Sequence, residues 1–253
     1  MDTQYENRLV AFIDILGFSN HVRNSEKSNI SFIELRDILK EIEEYIIKEN
    51  KIQETQAVMQ KHFNNKYNKL EYIQFSDSLI ISTPIFNHTS IFSFTLQITY
   101  LQAYFLNKGV LLRGGVSYGQ IFHQGNICFG PAFIRAYKLE NELADVPRIV
   151  IDTDLVNGKI IPSTLKEEDI PNYLLSMKSY SEQAPNSMFI KDKNDDLFFI
   201  NFMLLKKTFK DNRDSIINTF KLKLDELDIT NISDAKIYKK IKWLLNTIES
   251  HNY

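Results

Sequence analysis

The sequence has little of several features that define common protein classes. There is one cysteine, Cys128, among 253 residues, so neither an intrachain disulfide nor a multi-cysteine zinc site can form. The most apolar stretch, Ile91 to Leu106, is interrupted by polar residues and is shorter than the ~20 residues that span a bilayer, which favours a buried helix. Met1 to Arg8 shows no basic-then-apolar signal pattern. We therefore expect a cytoplasmic protein in a reducing compartment.

An excess of charge of one sign is also absent. Basic residues number 30 and acidic residues 32, for a formal net charge of −2. This balance argues against a protein that binds long nucleic acid or an anionic membrane through a net positive charge. A local basic pocket is compatible with it. The hydrophobic content of 43% is that of an ordinary globular protein. No metal-ligand spacing is evident among the five histidines, His21, His62, His88, His123 and His251.

Residue periodicity predicts the order strand–helix–strand–strand–helix–strand in the first half of the chain. The predicted elements are a strand at 8–14, a turn at 15–19, a helix at 31–50 opened by a Ser31/Glu34 capping box, a polar helix tail and loop at 51–68, strands at 70–75 and 78–83, a helix at 90–107, a strand at 110–118 that passes through Gly119 into a hairpin partner at 120–123, a turn at 125–126, and a helix from 130 to about 143.

This order predicts an α+β fold of the split βαβ, ferredoxin-like type. In that topology the first two strands are parallel and the third lies between them. The end of the first strand and the turn after the second then share one edge of the sheet. We therefore expect Asp14 to lie next to Asp77.

The second half of the chain is less regular. We predict a strand at 148–152, a mobile insertion at 162–187, a buried strand at 197–202 and two terminal helices at about 207–227 and 233–250. We divide the chain into a catalytic core, 1–150, and a C-terminal extension, 151–253, packed on the core or on a partner subunit.

Asp14 and Asp77 are the residues with the clearest chemistry. Each alone is explained equally well as a turn-forming aspartate. Two aspartates on one sheet edge, however, are what Mg²⁺ or Mn²⁺ needs, because these ions prefer oxygen ligands. Phosphoryl chemistry often uses two such ions. The following turn, with Gly17, can offer backbone N–H groups to a triphosphate.

Four segments in order resemble the class III nucleotidyl cyclases, over Leu9 to about Glu140. Phe12 to Ser19 resembles their first metal motif, and Gln74 to Asp77 their second metal-bearing hairpin. Leu112 to Gly119, followed by Gly130 to Leu139, resembles their arginine–glycine strand and the helix beyond it. The resemblance implies a palm-type domain that converts a nucleoside triphosphate to a cyclic monophosphate and pyrophosphate.

The resemblance also implies roles for individual residues. Asp14 and Asp77 would bind two divalent cations, Mn²⁺ or Mg²⁺, with the backbone carbonyl of Ile15 on the second. The phosphate-cradling turn would be Gly17, Phe18 and Ser19. Arg113 would approach the triphosphate, although an ordinary surface arginine is the alternative.

Some positions depart from the cyclase pattern. The two adenine-reading positions are occupied by Ile73 and Ile127, neither of which can hydrogen-bond a base edge. The transition-state asparagine is replaced by Ile134. The arginine of the same helix is replaced by Lys138, with Arg135 nearby, so the group that stabilises the developing charge is either of these two.

Among cyclases, Ala11 to Phe18, Phe129 to Ala132 and Lys242 to Asn246 make the chain most similar to the bacterial pyrimidine cyclases of Pycsar anti-phage systems. That likeness implies cyclic UMP or cyclic CMP as product, a separately encoded effector, and a homodimer with composite active sites. Two alternatives remain: a non-catalytic cyclase-like nucleotide-binding or signalling module, and a palm-type polymerase or diguanylate-synthesising enzyme. The glycine–glycine–acidic hairpin typical of the latter is absent, because this turn is Phe75-Ser-Asp-Ser78.

Overall fold

A mixed β-sheet with helices packed against it forms the centre of the molecule. The computed structural model describes residues 4–59, 69–86, 89–181, 187–204 and 212–251. Within these ranges the strands are β1 (Glu6–Ile15), β2 (Glu71–Phe75), β3 (Ser78–Pro84), β4 (Leu112–Gln124), β5 (Ile127–Phe129), β6 (Ile149–Ile151), β7 (Phe189–Lys191) and β8 (Phe198–Ile200). The strand order is β2-β3-β1-β4-β6-β8-β7, with β5 paired to β4.

The helices lie between and after these strands along the chain. They are α1 (Phe18–Ser25), α2 (Asn29–Met59), α3 (Thr89–Asn107), α4 (Pro131–Lys138) continued by a π-helical turn (Leu139–Leu143), α5 (Thr153–Val156), α6 (Ile170–Ser181) after a short 3₁₀ turn (Glu167–Asp169), α7 (Arg213–Asp225) and α8 (Ile232–Ser250). In the described ranges, no helix is long and apolar enough to cross a membrane.

Strand β1 is the central element that positions the site. It lies between β3 and β4, and both of its faces are buried because helices pack on each side of the sheet. Alternate residues such as Leu9 and Ile13 join the main core beneath α2 and α3. Val10 and Phe12 point to the other face and pack under α4. The predicted continuous apolar run is therefore confirmed as a doubly covered strand.

The predicted placement of the first three strands is confirmed. β3 is antiparallel to both β1 and β2 and lies between them, so β1 and β2 are parallel. Asp14 is opposite Ser78 on β3 and opposite Arg113 on β4. The end of β1 and the β2–β3 turn therefore meet at one edge of the sheet.

The helical part before β2 differs from the prediction. The short helix α1 was not expected, and α2 starts at Asn29. The Ser28 hydroxyl accepts the N–H of Ser31 at 3.5 Å, so the capping box assigned to Ser31 and Glu34 is wrong. The helix also runs on to Met59, since residues 51–59 contain Lys, Glu and Gln, which favour helix without being apolar. The rest of the predicted loop, 60–68, lies outside the described residues.

Strand β4 does not stop at Gly119. Its later residues continue along β1, where Ile121 pairs with Glu6, and then pair with β5, where Phe122 faces Phe129. The hairpin partner predicted at 120–123 is therefore part of β4 itself. The Gly125-Asn126 turn is confirmed and connects β4 to β5.

The C-terminal half extends the same sheet. β6 lies parallel to β4, and β8 and β7 follow it. The insertion predicted as mobile instead contains α6, whose Tyr173 and Met177 are fully buried, because a few apolar residues were enough to dock it. Residues 182–186 and 205–211 lie outside the described ranges. Helices α7 and α8 pack on Leu16, Leu106 and Leu111 of the first half. The division at residue 150 stays a prediction.

Candidate active site

Asp14 and Asp77 lie together at the rim of the sheet. The N–H of Ile15 donates to the carbonyl of Asp77 at 3.0 Å, which ties the end of β1 to the β2–β3 turn. That turn is tight because Ser76 adopts a left-handed conformation, with φ of 57°. Burial raises the pKa of the Asp14 carboxyl, Arg113 lowers it, and the nearby Asp77 raises it again through charge and a side-chain hydrogen bond. The two aspartates therefore lie side by side at this edge of the sheet.

Arg113 neutralises the acidic rim from the neighbouring strand. Its Nε lies 3.2 Å from Oδ2 of Asp14 and 2.6 Å from Oε1 of Glu140. Glu140 was not predicted, and its side chain is only 3% exposed. Burial raises the pKa of Glu140. The charge of Arg113 lowers this pKa, and the charges of Asp14 and Asp77 raise it further. Arg113 is thus held between two carboxylates of its own chain.

Gly115 explains how Glu140 reaches this rim. A Cβ at Gly115 would lie 2.2 Å from the carbonyl oxygen of Ala136 and 2.6 Å from Cβ of Leu139, so only glycine lets the end of α4 approach β4. The π-helical turn Leu139–Leu143 follows directly and buries Glu140. Such turns occur frequently at functional sites. In the motif Arg113-Gly-Gly115, the arginine belongs to the site and the last glycine to the packing.

The predicted phosphate turn is open to solvent. Gly17 has φ of 79° and precedes α1, and a Cβ there would meet nothing within 4 Å, so its conformation is what requires glycine. No side chain caps the first turn of α1. The N–H groups of Asn20 and His21 donate to the carbonyl of Gly17, so those of Phe18 and Ser19 are the ones available to an anion. Phe18 packs on the main core, and Ser19 is exposed.

Lys240 of α8 is a second residue that the sequence did not point to. It is half-buried and its pKa is lowered by burial and by Arg113, while Asp14 and Asp145 raise it. The interaction with Asp14 and Arg113 places the C-terminal helix beside the acidic rim. Neither Glu140 nor Lys240 belongs to a recognisable motif, so no signal in a single sequence would have identified them.

The basic residues predicted on α4 do not reach Asp14 within the chain. Arg135 forms a bidentate ion pair with Asp152 at the end of β6, with Nη2 at 2.8 Å from Oδ1. Lys138 is exposed, and so is Ile134, at 53%. These side chains lie on the outer surface of the molecule.

The donor set at the rim fits hard divalent cations. In the part of the chain that the structure describes, no group of three or more His, Cys, Asp or Glu side chains is arranged to hold a metal ion. The pair Asp14 and Asp77 nevertheless offers adjacent carboxylate oxygens, which Mg²⁺ and Mn²⁺ prefer. A cation would relieve the repulsion from Asp77, which adds to the effect of burial in raising the pKa of Asp14.

An apolar surface borders the acidic rim on the face that carries α4. The strand register places Ile73 opposite Ile80 and Ile80 opposite Phe12. The ring of Tyr137 packs edge-on against the ring of Phe12, with the ring centroids 5.3 Å apart. Phe75, beside the turn, is 79% exposed. We call Ile73, Phe75, Ile80, Ile134 and Tyr137 the rim patch.

Comparison with known proteins gives only weak structural likeness. No protein-family model matches the chain, and none of the curated proteins matches it in sequence. Among solved structures the chain is similar to the crystal structure of an adenylate/guanylate cyclase/hydrolase from Silicibacter pomeroyi, with 13% identity and a TM-score of 0.37 over 78% of this chain and 96% of the other. Similarity at this level is too low to assign a fold family or a function.

Proposed function

We propose that the chain is a nucleotidyl cyclase that converts UTP or CTP to the 3′,5′-cyclic monophosphate and pyrophosphate. The observation that carries the proposal is the convergence of Asp14 and Asp77 at the rim, where the N–H of Ile15 donates to the carbonyl of Asp77, beside an open glycine turn. The four cyclase-like motifs supply the reaction class. The order of β1 to β4 supports a palm-type domain, because it puts the motifs at one sheet edge.

The chain's own residues bind and orient the substrate. Asp14 and Asp77 would hold two divalent cations, Mn²⁺ or Mg²⁺, with the carbonyl of Ile15 as a further ligand. When bound, these ions supply Lewis-acid activation of the ribose 3′-hydroxyl and neutralise charge on the leaving phosphates. Gly17 and the first turn of α1, with Phe18 and Ser19, present N–H groups to the phosphates. No protein nucleophile is needed, since positioning and electrostatics perform the catalysis.

Glu140 and Arg113 would organise this site rather than react. Glu140 holds the Arg113 guanidinium at the rim from the buried side, 2.6 Å away. Arg113 in turn contacts Asp14 and offsets the negative charge of the acidic residues before substrate arrives. A triphosphate approaching the rim then meets a fixed cation, which is the role that the sequence motif suggested for Arg113.

A pyrimidine substrate is favoured by the residues at the base-reading positions. Ile73 is half-buried on β2 and Ile127 is 59% exposed on β5. Neither side chain can donate or accept a hydrogen bond, so the purine readout known from adenylate cyclases has no counterpart in them. This choice of base rests on residues that are lost and on the resemblance to the Pycsar cyclases, whose products activate an antiviral effector.

The active form would be a homodimer with composite sites. Phe75, Ile134 and Tyr137 of the rim patch are exposed apolar side chains, as in an unpartnered interface. Lys138 lies on the same helix as Ile134 and Tyr137 and would reach the phosphates of the partner's site. The structure favours Lys138 over Arg135 for this role, because Arg135 is engaged by Asp152.

Incubation of the purified protein with each nucleoside triphosphate and Mn²⁺ tests the proposal. Mass spectrometry should detect a cyclic mononucleotide from UTP or CTP, together with equimolar pyrophosphate. Asp77→Asn should remove the product, and Asp225→Asn, at an exposed position on α7, should not.

The second candidate is a catalytically inactive module that binds nucleotide, and it is favoured by Ile134 at the asparagine position. Nucleotide binding without product from any of the four triphosphates would establish it. A purine cyclic nucleotide as the main product would refute the pyrimidine assignment and leave the reaction class intact.

A further inference from the structure

A cavity of about 180 Å³ opens beside the glycine turn, between the core and the two C-terminal helices. Gly17, Asn20 and His21 form one wall and Gly109 lies at its edge, while Lys223 of α7 and Lys240 of α8 form the opposite wall. Pockets for drug-sized ligands usually measure about 300–1,000 Å³. This cavity therefore suits a small group and not a whole nucleotide.

The polar lining of the cavity is basic. Lys223 donates from Nζ to the carbonyl of Gly109 at 2.7 Å, which fixes its ammonium group at the edge of the cavity. Burial lowers the pKa of Lys223, and both burial and Lys223 lower the pKa of His21. Across from them is the uncapped start of α1 at Gly17. Protonated Lys223 and the start of α1 favour an anion, whereas the lowered pKa of His21 favours its neutral form.

Lys240 is a lysine of the cavity lining whose ammonium group has no close acidic partner in the part of the chain that the structure describes. Among the described residues no carboxylate lies within 4 Å of its ammonium group, although it is half-buried and the charges of Asp14 and Asp145 act on it from farther away. A lysine that is removed from water without a partner costs folding free energy, and such groups cluster at functional sites. Lys240 lines the cavity and also lies within electrostatic range of Asp14 and Arg113.

We propose that Lys240, assisted by Lys223 and the open turn at Gly17, binds the terminal phosphates of the substrate and the pyrophosphate product in this cavity. The inference rests on the proposed function, since it places the polyphosphate of that reaction. It assigns the C-terminal helices a direct part in the site: they complete a pocket whose other wall belongs to the core.

Titration calorimetry with inorganic pyrophosphate and Mg²⁺ tests the role of Lys240. Lys240→Met keeps the length of the side chain and removes the charge, and it should weaken pyrophosphate binding about 10- to 100-fold. Lys239→Met, at the exposed neighbouring position, should bind like the wild type, and Lys240→Arg should recover part of the affinity. In turnover assays Lys240→Met should raise KM for the triphosphate.

Thermal unfolding separates this role from a structural one. If Lys240 served only the fold, Lys240→Met would lower the melting temperature; as an unpaired, half-buried cation it should leave the melting temperature unchanged or raise it. Wild-type pyrophosphate affinity in Lys240→Met overturns the inference, even if the protein makes cyclic nucleotide. Lys240-dependent pyrophosphate binding without any nucleotide turnover would support the anion site and refute the cyclase proposal.

Discussion

Arg113 and Glu140 meet with Nε and Oε1 2.6 Å apart, and the carboxylate of this pair is buried. The pair is formed between β4 and the π-helical turn after α4, and Arg113 also reaches Asp14. Arg113 therefore places a positive charge beside the acidic side chains of the rim. The geometry of the rim should therefore depend on a residue that makes no contact with solvent.

Glu140→Gln should lower the free energy of unfolding by about 1–3 kcal/mol, because it leaves Arg113 with a neutral partner and one remaining carboxylate. Urea unfolding followed by circular dichroism measures this. Glu142→Gln, on the exposed side of the same turn, is the matched control and should change the stability by less than about 0.5 kcal/mol. Equal unfolding midpoints for the two variants would show that the pair does not stabilise the fold.

Divalent cations should stabilise the wild type through Asp14 and Asp77. Mn²⁺ at a hundredfold excess over its Kd should add about 2.7 kcal/mol, which corresponds to roughly 5–10 °C in melting temperature for a chain of this size. Asp14→Asn should abolish this shift, since only one carboxylate remains, and Asp225→Asn should keep it. A shift that persists in Asp14→Asn would place the cation elsewhere, whatever the activity of the protein.

The sequence predicts those features of the fold that depend on residues close together in the chain or on the order of the strands. The burial of β1 follows from its continuous apolar run, and the meeting of Asp14 with Asp77 follows from the order of the strands, so both were predictable. The course of β4 past Gly119 was not, because tertiary pairing overrode the local turn preference there. The extent of α2 was predicted only in part, because residues 51–59 favour helix without showing an apolar stripe.

The missed members of the site have a different cause. Glu140 is brought to the rim by the close packing that Gly115 permits, and Lys240 by the docking of α8 on a second apolar cluster. Both contacts join residues that are distant in sequence and belong to no motif. Charged residues on amphipathic helices are usually solvent-exposed, and nothing in their local sequence distinguishes these two.

His123 should make the stability sensitive to mild acid. Its Nδ1 lies 2.7 Å from the hydroxyl of Ser82, which also accepts from Nε of Arg8, and Nε2 is buried. Burial and the charge of Arg8 lower the pKa of His123 to about 4. The unfolded chain, with a histidine pKa near 6.5, therefore binds protons more readily than the folded one, and stability is lost as the pH falls below about 6.5.

The expected loss from this group is about 2 kcal/mol between pH 7.5 and 5. Urea unfolding at the two pH values measures it. His123→Gln removes the titrating ring, so the same change in pH should cost this variant about 2 kcal/mol less than the wild type. His21→Gln, at a partly exposed position, is the comparison variant and should retain most of the wild-type pH dependence. Parallel pH profiles for wild type and His123→Gln would mean that His123 is protonated equally in both states.

Mixing two inactive variants tests the composite site. Asp14→Asn disables the metal-binding half of each site, and Lys138→Ala disables the group that a partner would supply. In a mixed dimer one site carries both substitutions and the other carries neither. Because random exchange makes half of the dimers mixed, the mixture should regain about a quarter of wild-type turnover.

The control for this mixing experiment is an interface variant. Ile134→Glu places a charge in the rim patch and should prevent both dimerisation and the recovery of activity, as sedimentation and product assays would show. If Lys138 acted within its own chain, the mixture would stay inactive because every site would retain one defect. If Lys138→Ala alone is fully active, the group that stabilises the transition state is another residue.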